Sequence, residues 1–202
     1  MNYRSHLQKD KILAAVMNDY DVLPAPIPTT DLFSDIVSSI VGQQLSTKAA
    51  DTIWNRFKLL FGRKKITPKH VLQLTDEEIR GVGVSYSKVK YIKGLAQMIT
   101  DREVDLELLP TLSDKEVIDT LTKVKGIGPW TAEMILMFSL GREDVFSYGD
   151  LGLRSAIAKL YGIDRDDIAS MQLIVEKWSP YRTYASRYLW KSLDNAPKRD
   201  GR

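Results

Sequence analysis

The 202-residue chain contains no cysteine and only two histidines, His6 and His70. Without cysteine there is no disulfide framework, no thiolate zinc site, no cysteine nucleophile and no cysteine-ligated iron–sulfur cluster. Two histidines far apart in the sequence argue against a histidine-rich metal site and leave little material for a Ser-His-Asp triad. Any chemistry is therefore expected to use carboxylates, lysines or backbone groups.

Long apolar runs and a strong charge imbalance are also missing. No run approaches the ~20 residues that a membrane-spanning helix needs, and the N-terminal MNYRSHLQKD lacks the apolar core of a signal peptide. The net charge of +3 does not by itself indicate nucleic acid. Because 44% of the residues are hydrophobic, we expect a globular protein with a real core. The missing signal peptide and membrane span lead us to expect that it is soluble and cytoplasmic.

Apolar residues recur at helical spacing through nearly the whole chain, and no convincing strand alternation is present. Residues 75–78 and 113–116 have the pattern of capping boxes, which mark helix starts. The Pro-rich segment 23–28 is incompatible with a helix interior. The sequence therefore predicts an all-α protein of about ten short helices.

The most informative motif is a glycine hairpin between two predicted helices, at residues 121–132. Gly126 and Gly128 flank one apolar residue, and Pro129 suits the first position of the following helix. Glycine adopts backbone geometry closed to other residues and lets a second backbone approach closely. The N–H groups and positive dipole end of the new helix favour an anion, so the hairpin is predicted to bind a DNA phosphate.

The alternative for a Gly-x-Gly corner is a tight turn that binds nothing, but the surrounding residues make the helix-hairpin-helix pattern more specific. Two lysines before the turn add positive charge, and the apolar residue between the glycines is expected to anchor the turn in the core. The candidate DNA-binding residues of the hairpin are Lys123, Lys125, Gly126, Ile127, Gly128 and Thr131.

One acidic residue, Asp150, stands directly before the predicted helix 151–161. Its simplest role is a helix N-cap, but the same position favours the ionised carboxylate, because the helix dipole and amide donors stabilise it. N-glycosidic cleavage needs a fixed negative charge of this kind, since the sugar becomes oxocarbenium-like as the base leaves. The carboxylate could also orient or deprotonate the attacking water.

The hairpin, the following loop and Asp150 together resemble the helix-hairpin-helix DNA glycosylase superfamily. More narrowly, the chain resembles the alkylpurine branch, of the 3-methyladenine DNA glycosylase II type. Three stretches are the basis of this resemblance: residues 40–50, 126–150 and 178–190. The resemblance implies two helical lobes with a cleft between them, and an enzyme of base excision repair that flips out its target base.

The resemblance also implies a domain organisation. Residues 1–30 would be an N-terminal helix and a Pro-rich connector that complete one lobe. Residues 31–193 would form the helical core, and residues 194–202 a polar tail.

Roles for individual residues follow from the same resemblance. Asp150 would be the catalytic carboxylate. The base pocket would be lined by Trp130, Trp190 and Met134, the last of which replaces an aromatic residue of some relatives. A wedge that enters the duplex would come from Gln44 or, because the bacterial prototype has an apolar wedge, from Gln43 or Leu45. A structural sodium or potassium ion would bind backbone carbonyls near Gly126 and Gly128.

The reaction type is predicted from a missing lysine. Bifunctional members of the superfamily place a nucleophilic lysine directly after the hairpin, and Trp130 occupies that position here. We therefore expect a monofunctional enzyme that uses water, without lyase activity, a required cofactor or an iron–sulfur cluster.

The resemblance implies that the partner is double-stranded DNA containing damaged bases, bound by a monomer. It also implies a location in the cytoplasm, associated with the nucleoid, in a bacterium, or in the nucleus of a eukaryote. The alternatives are a same-fold glycosylase for uracil, hypoxanthine or mismatched bases, and a non-catalytic helix-hairpin-helix module.

Overall fold

A computed structural model describes residues 2–194 of the chain. Within this range there are twelve α-helices and no strand, so the predicted all-α class is confirmed. The helices are α1 (Tyr3–Leu7), α2 (Lys11–Asn18), α3 (Leu32–Gly42), α4 (Thr47–Leu59), α5 (Pro68–Gln73), α6 (Asp76–Gly81), α7 (Tyr86–Thr100), α8 (Asp114–Leu121), α9 (Pro129–Met134), α10 (Leu151–Tyr161), α11 (Ile168–Val175) and α12 (Arg182–Asp194).

Shorter segments and the chain end complete this description. Leu109–Thr111 and Glu176–Trp178 are 3₁₀ turns, and Ile135–Ser139 continues α9 as a π-helical turn. Of the predicted polar tail, Asp194 belongs to α12, and residues 195–202 lie outside the described residues. None of the described helices has the length and apolar character that crossing a membrane would require.

The chain divides into two compact units. One contains residues 28–140, with α3 to α9, and the other contains the described residues 2–27 together with 141–194. The first residues of the chain therefore share a unit with α10 to α12.

In the unit of residues 28–140, α7 is the central helix and packs against α3, α5 and α6. Its apolar face is buried, with Val89, Ile92, Leu95 and Ala96 inaccessible to solvent. Burying a large aliphatic side chain contributes ~1.5–3 kcal/mol, so this face stabilises the helix far more than its polar residues do. Both predicted capping boxes are present, at Thr75 with Glu78 and at Ser113 with Glu116.

The core of the other unit is rich in aromatic side chains, among which Trp178 and Tyr188 are fully buried. Asp10 contributes an unexpected feature: its Oδ1 accepts the backbone N–H groups of Ile12 and Leu13 and thereby starts α2. A single N-terminal helix was predicted before the Pro-rich connector, whereas this cap divides the segment into α1 and α2.

Candidate functional site

The predicted glycine hairpin joins α8 to α9, with Pro129 at the first position of α9. Gly126 has φ +94°, and a Cβ there would lie 2.2 Å from the ring of Tyr91. A side chain at this position is therefore excluded both by backbone conformation and by the α7 tyrosine. Ile127 is buried and anchors the turn, as the sequence predicted.

The start of α9 has the features of an anion seat. Gly128 is its N-cap residue, lies at the surface and has no side chain to cap the helix. A Cβ built on Gly128 would have no heavy atom within 4 Å, so the backbone is open to a close approach from outside. Lys123 and Lys125 are exposed on the chain leading into the turn. Backbone donors at a helix start flanked by two ammonium groups favour a phosphate.

Two of the predicted DNA-binding residues are used inside the protein. The Gln43 side-chain amide donates to the carbonyl of Gly126 at 2.8 Å and to the Thr131 hydroxyl at 3.2 Å. Thr131 is buried. Both side chains thus stabilise the hairpin, while any contact between them and DNA stays a prediction.

The other two residues of the predicted wedge, Gln44 and Leu45, are exposed between α3 and α4. Gln44 has φ +58°, which is uncommon for a residue other than glycine. The structure therefore turns Gln43 inward and leaves Gln44 and Leu45 at the surface of the loop.

The hairpin carbonyls fit a monovalent cation chemically. The Gly126 carbonyl accepts one hydrogen bond, from Gln43, and the Gly128 carbonyl accepts one, from the Ala132 N–H at 3.0 Å. Each carbonyl oxygen has a second lone pair, and neutral oxygen atoms suit a hard cation. The ion itself stays a prediction.

Asp150 is the buried carboxylate of the other unit. It caps α10, because its Oδ1 accepts the Leu153 N–H at 2.8 Å. The same oxygen accepts the indole N–H of Trp190, on α12, at 3.2 Å. The structure therefore brings together two predicted site residues that are 40 positions apart in the sequence.

Gly152 is a site residue that the sequence reasoning missed. A Cβ at this position would lie 3.0 Å from Asp150 Oδ1 and 3.5 Å from the Trp190 ring. The absence of a side chain in the first turn of α10 thus lets the carboxylate and the indole approach each other. The only signal in the sequence for a role of Gly152 was its position two residues after Asp150.

The loop that leads to Asp150 is attached to the start of α12. Asp144 accepts two hydrogen bonds from the Arg182 guanidinium, at 2.7 and 2.9 Å, and one from the Ser179 hydroxyl at 2.8 Å. Thr183 adds a hydroxyl that donates to the Arg142 carbonyl and accepts the Val145 N–H.

This attachment changes the acidity of Asp144. Burial alone would raise its pKa, but the hydrogen bonds from Arg182 and Ser179 outweigh burial and lower it. The ionised carboxylate therefore holds the loop before Asp150 against the helix that carries Trp190.

Trp130 and Met134 belong to the unit of residues 28–140, on α9. They are four residues apart and so share a helix face. Trp130 is 43% exposed. Met134 is half-buried and lines a surface cavity of about 230 Å³ together with Ser38, Ser39 and Phe138.

The described residues are all-helical, the glycine hairpin leaves the start of α9 open, and an aspartate caps the helix that follows the next loop. These features define a helix-hairpin-helix protein of the type found in base excision repair. The chain belongs to the HhH-GPD superfamily of base excision DNA repair proteins, whose sequence pattern matches residues 37–180. The family predicted from the sequence is thereby confirmed.

Solved structures and sequence relatives agree with this family. A DNA-3-methyladenine glycosidase of Bacillus halodurans has 36% identity and a TM-score of 0.82, and the match covers 95% of this chain and 88% of that one. The 3-methyladenine DNA glycosylase of Schizosaccharomyces pombe, in complex with abasic DNA, has 30% identity and a TM-score of 0.82, with 97% and 98% covered.

A Bacillus subtilis homologue, provisionally assigned as a DNA-3-methyladenine glycosylase, is 31% identical over 189 residues. That alignment covers 90% of this chain but 66% of the homologue, so the chain spans just under two thirds of that relative.

Proposed function

We propose that this protein is a monofunctional DNA glycosylase that hydrolyses the N-glycosidic bond of alkylated purines of the 3-methyladenine type. The products are the free base and an abasic site. The single observation that supports this most directly is the buried Asp150 carboxylate, fixed by the α10 start and by the Trp190 indole. The relatives named as 3-methyladenine glycosylases support the same reaction and substrate class.

Asp150 acts on the sugar in this proposal. As the bond from C1′ to the purine nitrogen breaks, positive charge develops on the sugar ring, and the carboxylate stabilises the charged sugar more than it stabilises the neutral sugar of the ground state. A water oxygen then bonds to C1′ and loses a proton to Asp150 or to solvent. The bonding electrons of the broken bond leave with the base.

The substrate class follows from the leaving group. An alkylated purine is cationic, so it departs without a general acid and is attracted to an indole face by ~0.5–2 kcal/mol. Trp130 offers an exposed indole for this contact, and Met134 adds a polarizable, adaptable surface.

DNA binding is assigned to the other predicted residues. The backbone at Gly128 holds a phosphate, and Lys123 and Lys125 add charge that raises affinity at low salt. Gln44 and Leu45 provide the exposed tip that enters the duplex when the base leaves the stack, a step that costs a few kcal/mol.

The test is base release from DNA containing 3-methyladenine, 7-methylguanine, hypoxanthine or uracil. We expect release of the two alkylated purines and no covalent adduct after borohydride treatment. A trapped adduct would reveal a lysine nucleophile and a lyase step. DNA binding without release of any base would instead identify a non-catalytic module.

A further inference from the structure

The loop between α3 and α4 is held from α7 by one lysine. The Lys88 ammonium donates to the backbone carbonyls of Val41 at 2.8 Å and Gln43 at 2.6 Å. Both carbonyls lie at the C-terminal end of α3, where unpaired oxygens and the negative end of the helix dipole favour a cation. Sequence patterns do not reveal this role of Lys88, because its two partners are 45 and 47 residues away.

The same loop is held from a second side by the hairpin. Gln43 accepts the Lys88 hydrogen bond with its backbone and donates to the Gly126 carbonyl with its side chain. Tyr91, three residues after Lys88 on α7, fills the space next to Gly126. Residue Gln43 is therefore fixed to α7 and to the phosphate-binding hairpin at once.

These contacts leave the tip of the loop, formed by Gln44 and Leu45, exposed to solvent. Gln44 is exposed at φ +58°, and Leu45 is 39% exposed. A left-handed conformation at a residue other than glycine is strained, and it persists only where the surrounding structure imposes it. Gln43 directly before the tip is the fixed point, and Ser46 directly after it is the N-cap of α4.

Lys88 is partly withdrawn from water, and burial lowers its pKa. A partly desolvated ammonium has stronger hydrogen bonds to carbonyls than a solvated one, so its removal affects the loop more than the loss of a surface charge would.

We propose that Lys88 is a positioning residue for base eversion: with Gln43, it presets the strained loop so that Gln44 and Leu45 are poised to enter the gap left by the flipped base. This inference rests on the proposed glycosylase function. Lys88 itself contacts neither the sugar nor the base.

The experiment compares two duplexes that contain a single 7-methylguanine, one paired with cytosine and one placed opposite an abasic-site analogue. In Lys88→Met, single-turnover release from the paired duplex should fall about tenfold, as expected for losing hydrogen bonds from a charged group. In the same variant, the rate of release from the duplex with the abasic-site analogue should stay within about twofold of the wild-type rate, because eversion there breaks no base pair.

Two control variants separate positioning from charge and folding. Lys115→Met removes one positive charge from an exposed lysine of the same unit, whose ion pair is with Asp119, and should leave both rates unchanged. Lys88→Arg retains donors for the two carbonyls and should restore most of the paired-duplex rate.

An equal loss on both duplexes, or no loss on either, would overturn the inference. A wild-type protein that releases 7-methylguanine from neither duplex would instead defeat the proposed function.

In that case base eversion is measured without base release, as the rise in fluorescence of a 2-aminopurine placed beside the 7-methylguanine. A smaller rise with Lys88→Met than with wild type supports positioning, and equal rises contradict it.

Discussion

Replacing Gly126 by alanine tests whether the hairpin depends on the shape of its backbone. The residue has φ +94°, and the new methyl group would lie 2.2 Å from the Tyr91 ring. Neither problem exists at Gly128, which has φ −91° and open space around its Cβ position. The two glycines of one motif thus provide a matched pair.

The magnitude follows from two separate costs. The left-handed conformation costs alanine ~1–2 kcal/mol, and forcing a methyl group into occupied space costs ~1–3 kcal/mol. Gly126→Ala should therefore lower the free energy of unfolding by about 2–5 kcal/mol, or the melting temperature by roughly 5–15 °C for a chain of this size. Gly128→Ala should change the free energy of unfolding by less than ~0.5 kcal/mol.

Thermal and urea unfolding measure these differences, and a double-mutant cycle with Tyr91→Ala apportions them. Removing the ring should recover about 1–3 kcal/mol of the Gly126→Ala cost, while the conformational cost remains. Fluorescence anisotropy with duplex DNA completes the comparison. Gly128→Ala should bind about tenfold more weakly despite normal stability, because its methyl group stands where a phosphate would approach.

Equal stability of the two alanine variants would refute this reasoning. So would a double-mutant cycle without coupling, since the contact with Tyr91 is the source of the steric cost.

Three further predictions concern the separate parts of the site. Gly152→Ala should reduce the base-release rate about tenfold with DNA affinity unchanged, because its methyl group displaces Asp150 from its position; an unchanged rate counts against the tight geometry. The pKa of Asp144 is lowered in the folded state, so the stability that it contributes is present at neutral pH and is lost as the pH falls below about 4, towards its folded pKa. The free energy of unfolding of Asp144→Asn should therefore be about 1–3 kcal/mol below that of wild type at pH 7, and this difference should shrink in acid. A difference that grows on acidification would contradict the lowered pKa of Asp144. Trp130→Ala should raise KM for 3-methyladenine DNA by a larger factor than it raises the Kd for hypoxanthine-containing DNA, because only the first base is cationic; equal changes would argue against the cation–π contact.

Features that depend on neighbours in the sequence were predicted well. The capping boxes predicted at residues 75–78 and 113–116 are both present, at Thr75 with Glu78 and at Ser113 with Glu116. Pro129 begins α9, and Gly162 ends α10 at φ +68°. These outcomes are local, because a cap or a left-handed stop depends on residues within one helical turn.

Features that depend on tertiary packing were not predicted. The inward Gln43 side chain, the Lys88 bonds to α3 and the Asp144 pairing with Arg182 each join segments at least 38 residues apart. Periodicity reports which face of a helix is apolar but not which polar group it meets. The division between α1 and α2 was missed for a different reason, because the apolar pattern continued across the Asp10 cap.

The proposed reaction depends above all on the carboxylate of Asp150, which supports cleavage of the N-glycosidic bond. Asparagine at this position can still accept the Leu153 N–H and cap α10, so Asp150→Asn removes charge while preserving the fold. The measurement is single-turnover release of 3-methyladenine at saturating DNA, with affinity determined in parallel. We expect the rate of release to fall about 10²–10³-fold with DNA affinity nearly unchanged. An Asp150→Asn protein that releases the base at the wild-type rate would contradict it.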